Sequence, residues 1–591
     1  MAPELNSASI RVAFEGCGHG CLHDIYASVE KAATLKGWDG VDLLIIGGDF
    51  QAVRNSHDMA CMSVPQKFKK LGDFHEYYSG KRTAPYLTIF IGGNHEAGNH
   101  LFELYYGGWV APNIYYMGAA NVIRCGPLRI AGMSGIWKAY DYRKPHFERL
   151  PYNRDEIQSI YHIRELDVRK LLQIRTQVDL SLSHDWPKQI ENYGDYNTLF
   201  RVKKGFRQDS QTGRLGNLAA KFVLDRLRPA HWFSAHLHGV VPEVQHNLTW
   251  RRVDIGEDGV GRQVVGVERD ACAETAVNKK QKLQHETKPV KNSDEIDLDL
   301  DSDPGEDAAA DTAPEVESRA MDQSTSAANI NKSPTDSIVK PAEGVEKDTG
   351  DISEEVRSQL PAGFARPPPQ AYAVNGPLPE SISNKTTHFL ALDKCLPNRE
   401  FLQLVEFSTI SDLEGAQCER PYRLQYDKEW LAITRVFAND LQLGDATAKP
   451  AADKGDTVYE PQIIEEEKWV EEHIVKPGKM GIPENFVPTA PPYDSAVPIT
   501  TEEMPPEYNN PQTAQFCELI GIENKFHLSD EEREARMAAG PRPVESRQNF
   551  SRYPRRDGGH GHGRGRGGGR GGRGGGRPWG RGRGRGRAAP Y

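Results

Sequence analysis

Val41-Asp-Leu-Leu-Ile-Ile-Gly-Gly-Asp49 reads as a short buried strand that runs out into two glycines and a carboxylate. A brief apolar run closed by turn residues is the sequence signature of such a strand. Four other segments repeat the arrangement. Ile10-Arg-Val-Ala-Phe14 precedes Cys17-Gly-His19, and Tyr86-Leu-Thr-Ile-Phe-Ile91 precedes Gly93-Asn94-His95. Val178-Asp-Leu-Ser-Leu182 precedes His184-Asp185, and Trp232-Phe-Ser-Ala235 precedes His236-Leu-His238. In an open α/β sheet, chemistry gathers where the carboxyl ends of strands meet loops. The five segments are therefore predicted to bring their polar ends together along one edge.

Between these runs lie amphipathic stretches. Asp24 to Leu35 is predicted to be a helix, as is Arg164 to Ile174. The alternation defines one α/β layered domain over residues 9–266. Within it, Ser134 to Arg164 is aromatic, basic and interrupted by prolines, and a long ordered loop is expected there. Residues 267–383 are poor in aromatics and rich in Asp, Glu, Lys, Ser, Ala and Pro, a composition that cannot offset chain entropy by burial, so disorder is expected. Strands and a helix are predicted to resume from Thr386 to Phe437, inside a small, partly ordered C-terminal domain over 384–540 that packs on the first. Helical stretches around Trp469 and Phe516–Leu519 extend it. The tail, 541–591, is expected to be disordered.

The net charge is -10, yet Asp294 to Glu317 alone holds eleven acidic residues and no basic one. That run reads as solvated linker, or as a shield against RNA binding on the wrong surface. Arg564 to Arg587 holds nine arginines spaced mainly by Gly, either a solubilising end or a segment that binds RNA through phosphates and stacking. The eight cysteines include no C-x-x-C pair, no secretory signal opens the chain, and no uncharged run approaches the ~20 residues that span a bilayer. A reducing interior is implied. Asn278-Lys-Lys-Gln-Lys is at most a weak import signal; the nucleus is the expected location.

The residue types at the five strand ends suit divalent metals. Asp49 has two oxygens and can bridge two ions. The imidazoles of His19, His184, His236 and His238 suit Zn, Fe or Mn, and the amide oxygen of Asn94 adds a neutral ligand. Hydrolysis of a phosphodiester needs about 20 kcal/mol of barrier lowering, of which a single general acid or base supplies only about 10²–10⁴-fold. A pair of cations about 3.5–4 Å apart supplies the rest. A buried structural thiol is the alternative reading of Cys17. Asp185 is placed either to orient His184 or to cap the next turn.

The set Cys17-x-His19, Gly48-Asp49, Gly93-Asn94-His95-Glu96, His184 and Ala235-His236-Leu237-His238 resembles the calcineurin-like metallophosphoesterases, whose fold is a layered β-sandwich flanked by helices. The resemblance implies one ion held by Cys17, His19, Asp49 and His238, and a second by Asp49, Asn94, His184 and His236. It implies that His95 binds no metal and assists the leaving oxygen. Cys17 stands where most members have Asp, and Ala235 where most have Gly. A thiolate favours Zn or Fe over Mg.

Those departures, with Gly48-Asp-Phe-Gln-Ala-Val-Arg-Asn55, Ser183-His-Asp-Trp-Pro187 and Gly107-Gly-Trp-Val-Ala-Pro-Asn-Ile-Tyr-Tyr116, resemble one branch, the RNA lariat debranching enzymes. The likeness covers about residues 9–245 closely and 386–437 more loosely. It implies hydrolysis of the 2′-5′ bond at the branch point of excised introns, with the 134–164 loop as the lariat-recognition element. Trp137, Lys138, Tyr140, Tyr142, Arg143, Lys144 and Phe147 would contact branched RNA, since splayed nucleotides are held by stacking and cationic contacts. Without the resemblance the loop could equally cap the sheet. A monomer with two divalent ions (Fe²⁺, Zn²⁺ or Mn²⁺) is expected, with splicing or intron-turnover factors as partners. The rival readings are a phosphoesterase for another ester, and an RNA-binding adaptor on an inert fold. His23, His57, His75, His100, His146 and His162 carry no motif, and surface positions or positions behind the ligands are expected for them.

Overall fold

The computed structural model describes residues 8–237, 251–255, 261–262, 378–409 and 420–544. Most of the expected disordered segment and of the Arg/Gly tail lies outside these residues, as does His238. The expected edges do shift. Ile382 is buried, and Arg542 donates hydrogen bonds to the carbonyls of Phe147 and Gly444. Both residues belong to stretches whose composition points to disorder.

The strands are β1 (Ala8–Glu15), β2 (Leu43–Ile46), β3 (Thr88–Phe90), β4 (Gly108–Ala111), β5 (Ile114–Tyr116), β6 (Ala120–Cys125) and β7 (Leu128–Met133). They continue with β8 (Leu180–Ser183), β9 (His231–Ser234), β10 (Arg251–Ile255), β11 (Gly261–Arg262), β12 (Thr386–Ala391), β13 (Leu402–Thr409) and β14 (Leu424–Tyr426). Among the described residues they form two sheets, in the orders β13-β1-β2-β3-β5-β4 and β11-β10-β12-β9-β8-β7-β6-β14. β1, β2 and β3 run parallel, with Val12 opposite Leu43 and Leu44 opposite Thr88. β7, β8 and β9 are parallel as well. Ile10, Val12 and Phe14 of one sheet share a core cluster with Ile130, Leu180 and Trp232 of the other. The helices Leu22–Leu35, Glu165–Leu172 and Leu218–Leu227 bury their apolar faces and flank the sheets, giving the layered sandwich.

The expected C-terminal domain is woven into the first. β13 pairs antiparallel with β1 along its whole length, β12 lies parallel to β9, and β14 pairs with β6. The helix Lys428–Phe437 starts at Asp427, which caps Trp430 N–H and also accepts from Arg129 at 2.7 and 2.9 Å. Arg129 donates to Glu429 at 3.0 Å too, and all three residues are buried. Breaking such a buried network from one side leaves two buried carboxylates short of their main counter-charge, with Arg124 still on Asp427 and Arg175 N–H still on Glu429, and costs up to about 3–5 kcal/mol. Arg129→Met should therefore destabilise the protein by that order in urea unfolding; a loss below about 1 kcal/mol would show that the pair does not hold the two segments together.

The 134–164 segment carries two short helices, Ala139–Tyr142 and Arg154–Ser159, where a plain loop was expected. The second starts with a capping box, Asn153 and Glu156 exchanging hydrogen bonds. Arg164, fully buried, ties the segment together through the carbonyls of Asp141 (2.8 Å) and Ser159 (2.9 Å) and the carboxylate of Glu148.

Candidate metal centre

The five strand ends do converge. Cys17 and His19 follow β1, Asp49 follows β2, Asn94 and His95 follow β3, and His184 and His236 follow β8 and β9. They meet where the carboxyl edges of the two sheets face each other. The ligating atoms of Cys17, His19 and Asp49 lie within 4.8 Å of one another, and so do those of Asp49, His184 and His236. Asp49 belongs to both groups, the position a bridging carboxylate requires. One Asp49 oxygen lies 3.6 Å from His19 Nε2 and the other 3.3 Å from His184 Nε2.

The turns are shaped to allow this approach. His19, Asp49 and His236 adopt left-handed backbone, with φ of 42°, 48° and 60°. Non-glycine residues rarely do so, and such strain collects at functional sites. A Cβ on Gly93 would sit 2.2 Å from Asp49 Oδ1 and 2.7 Å from His184 Nε2. A Cβ on Gly48 would strike His184 Nδ1 at 2.2 Å. The glycines of the Gly-Asp and Gly-Asn-His motifs are thus the space that the ligands occupy.

Electrostatics prepare the same groups. Burial alone would raise the Asp49 carboxyl, but the imidazoles of His184, His95 and His19 hold it well below the usual carboxylate range. Burial lowers His19 to about 3 and drives His236 well down, so both rings stand neutral with a lone pair to offer. His184 Nδ1–H donates to the carbonyl of Gly47 at 2.8 Å, which leaves Nε2 as the ligating atom. That bond settles the two readings of Asp185. His184 is oriented by Gly47, while the Asp185 carboxylate caps Trp186 N–H at 2.9 Å and burial raises it to about 6. Burial, reinforced by Asp49 and Glu15, raises the Cys17 thiol, whose sulfur accepts from His236 N–H at 3.2 Å. The Asn94 Oδ1 atom is buried and meets no hydrogen-bond donor among the described residues. An orphaned oxygen beside a shared carboxylate and neutral imidazoles is a donor set that fits divalent cations.

Several residues escaped the sequence reading. Glu96 accepts from the N–H groups of Phe50 (2.8 Å), Gln51 (2.8 Å) and Gly93 (3.0 Å), so one carboxylate fastens the Asp49 turn to the Asn94 turn. Burial, then Asp49, raises it to about 7. The Gln51 amide lies 3.3 Å from His19 Nδ1. Lys394, buried, forms a parallel bridge with Cys17 and belongs to the C-terminal segment. Only the Glu of Gly-Asn-His-Glu carried a local signal.

The loop residues divide. Tyr140 is 52% exposed, and Arg143 and Lys144 are exposed, 3.9 Å from Glu165 and 2.6 Å from Asp141. Trp137, Lys138 and Phe147 are half-buried. Tyr142 is a correction. Its ring is buried in the main core against Trp137, at 4.6 Å between centroids, and offers no face to RNA. His100, His146 and His162 are corrections too if read as surface residues. All three are buried, bonded to the Ala52 carbonyl, Asp167 and Asp141.

Two sheets meeting at a shared-carboxylate ligand cluster define a metal-dependent phosphoesterase, and comparison with known proteins agrees. Residues 10–240 match the calcineurin-like phosphoesterase family, and residues 384–525 match the lariat debranching enzyme C-terminal domain. The chain is 39% identical over 526 residues to the lariat debranching enzyme of Schizosaccharomyces pombe, covering 87% of this chain and 96% of that one. It is 36% identical over 522 residues to that of Danio rerio (88% and 67% covered) and 34% over 513 residues to that of Homo sapiens (87% and 69%). The chain belongs to the lariat debranching enzyme family. It is a hydrolase of the phosphodiester class, dependent on divalent metal ions. Among the described residues no helix is long and apolar enough to cross a membrane.

Proposed function

We propose that this chain hydrolyses the 2′-5′ phosphodiester at the branch point of excised intron lariats, leaving a linear RNA with a free 2′-hydroxyl and a 5′-phosphate. The observation that carries the reading is the pair of ligand groups sharing Asp49, in a chain whose relatives are lariat debranching enzymes. Two ions would be held, one by Cys17, His19, Asp49 and His238, the other by Asp49, Asn94, His184 and His236. The thiolate of Cys17 favours iron or zinc over magnesium, with manganese tolerated by the imidazoles. Bound there, the cations would supply Lewis acidity, neutralising the phosphate and the charge that develops as the bond breaks.

The chain's own groups do the rest. Asp49 stays ionised, and its Oδ1 accepts His95 N–H at 2.8 Å, which fixes the His95 turn over the ligand cluster. The His95 side chain donates a proton to the departing 2′ oxygen. Tyr140, Arg143 and Lys144 hold the RNA, with Trp137, Lys138 and Phe147 behind them. Stacking is worth about 1–3 kcal/mol per base. Tyr140→Ala should therefore weaken binding of branched RNA by that order and leave stability unchanged, whereas Tyr142→Ala should destabilise the fold by about 3–5 kcal/mol. Anisotropy titration and urea unfolding separate the two; the reverse pattern would remove Tyr140 from the interface. The protein acts as a monomer in the nucleus, alongside splicing or intron-turnover factors.

The decisive assay offers purified, metal-loaded protein a 2′-5′ branched RNA, a linear 3′-5′ RNA and a phosphoprotein. Cleavage of the branch alone is expected. An intact branch beside hydrolysed linear RNA or phosphoprotein would overturn the reading.

A further inference from the structure

Residues 187–217 form an arm that leaves the sheet just after His184 and returns to the same place. Lys188 N–H donates to the Asn217 carbonyl at 3.0 Å and Asn217 N–H to the Trp186 carbonyl at 2.6 Å, so the two ends are clamped together. The root of the arm is Trp186, whose indole N–H donates to the Ala235 carbonyl at 2.9 Å. Trp186 stands two residues beyond His184, and Ala235 is next to His236. Phe206, from the arm, packs edge-on against the Trp186 ring at 6.3 Å between centroids. The arm is thereby tied to two of the metal-site turns.

Beyond its root the arm has little core. Of its helices Tyr196–Val202 and Lys204–Thr212, the first buries only Leu199 and the second only Phe206. Between Tyr196 and Arg214 stand five basic residues and one acidic one, in a chain whose net charge is -10. Arg201, Lys204, Arg207 and Arg214 are exposed, and Lys204 and Arg207 pair with no carboxylate among the described residues. Three positions apart in one helix, these two share a face. Apolar surface accompanies the charge. Tyr196 and Val202 are 40% and 43% exposed, and the Arg207 guanidinium lies over the Phe200 ring at 5.9 Å. Ordinary solvated faces intersperse both signs. A face of one sign with rings at hand fits a single-stranded nucleic acid, whose backbone is tracked by cations and whose bases stack on aromatics.

We propose that this arm is a second RNA-binding surface, separate from the 134–164 segment, on which Lys204 and Arg207 hold backbone phosphates of a strand running out of the metal site. The inference rests on the 2′-5′ reading above. The arm reads no base and takes no part in bond cleavage. It lengthens the grip on long substrates, so its contribution depends on strand length and on salt.

The test uses the full-length, metal-loaded protein and two RNAs with the same branch point, one with strands of a few nucleotides and one with strands long enough to cross the arm. Binding is followed by anisotropy in the His95→Ala background, and kcat and KM on the otherwise native enzyme. Each phosphate contact on a single strand adds about 0.7 to the steepness with which log K falls against log salt. The double substitution Lys204→Gln, Arg207→Gln should therefore flatten that slope on the long RNA by about 1.4 and weaken binding about tenfold at low salt. KM on the long RNA should rise with it while kcat stays, and the short RNA should bind and react as before. The charge-keeping pair Lys204→Arg, Arg207→Lys should restore the native slope. An unchanged slope on the long RNA, or an equal loss on both lengths, overturns the arm. Tighter binding by the Gln variant overturns it too, and would make the chain's own acidic run, Asp294 to Glu317, the occupant. Failure of the unaltered enzyme to cleave either branched RNA overturns the 2′-5′ reading instead.

Discussion

Asp49→Asn should lower kcat/KM on branched RNA by at least about 10⁴-fold, the largest effect expected of any single substitution here. The side chain keeps its shape but loses the charge that the two ligand groups share. Groups that act as one unit fail together when one is removed. The mutant retains one oxygen on the amide, so a single ion could remain, but the second oxygen becomes an NH₂ that repels a cation. Elemental analysis should show less metal per chain, and the folded state should persist. An Asp49→Asn protein with its full metal content and near-normal turnover would show that the two groups are not bridged.

His95→Ala should lower kcat by about 10²–10⁴-fold with metal content unchanged. His95 sits above the cluster, its ring 5.5 Å from that of His19, and is tied to Asp49 through the backbone rather than the ring. Truncating the ring therefore spares the turn. The diagnostic is the leaving group. A 2′-alkoxide needs a proton, whereas nitrophenolate departs without one. The variant should lose far less activity on a bis-nitrophenyl phosphate than on branched RNA. Equal losses on both would assign His95 to holding the phosphate instead of protonating the leaving oxygen.

The strand ends were legible because a buried strand, a glycine and a ligand follow one another in the chain, a purely local pattern. Gly48 and Gly93 mark the close approaches, and the structure places ligand atoms where their side chains would be. What was not legible depends on partners distant in sequence. Nothing in His184-Asp185 tells which group orients the imidazole; the Gly47 carbonyl, 137 positions away, does so. Tyr142 reads like its neighbours in an aromatic and basic stretch, and only the packing of the 134–164 segment onto the core separates it from Tyr140. The helix at Arg154 was within reach, since Asn153 and Glu156 are a capping-box pair. The apolar pattern of Leu402–Thr409 shows a strand but not its neighbour, and the neighbour proved to be the first strand of the chain.

That pairing sets an order on how the enzyme comes to life during translation. The Cys17 turn is held by Asp393, and the Gly16 amide by Phe401, so the nascent chain cannot clamp this corner until those residues leave the ribosome. The last described histidine of the cluster, His236, emerges well before them. At about 5–20 residues per second, the roughly 170 residues that separate it from the end of the clamping strand take some ten to thirty seconds to make. A polypeptide still attached to its ribosome would thus spend that interval with the Gly16 and Cys17 amides lacking the carbonyls of Phe401 and Asp393.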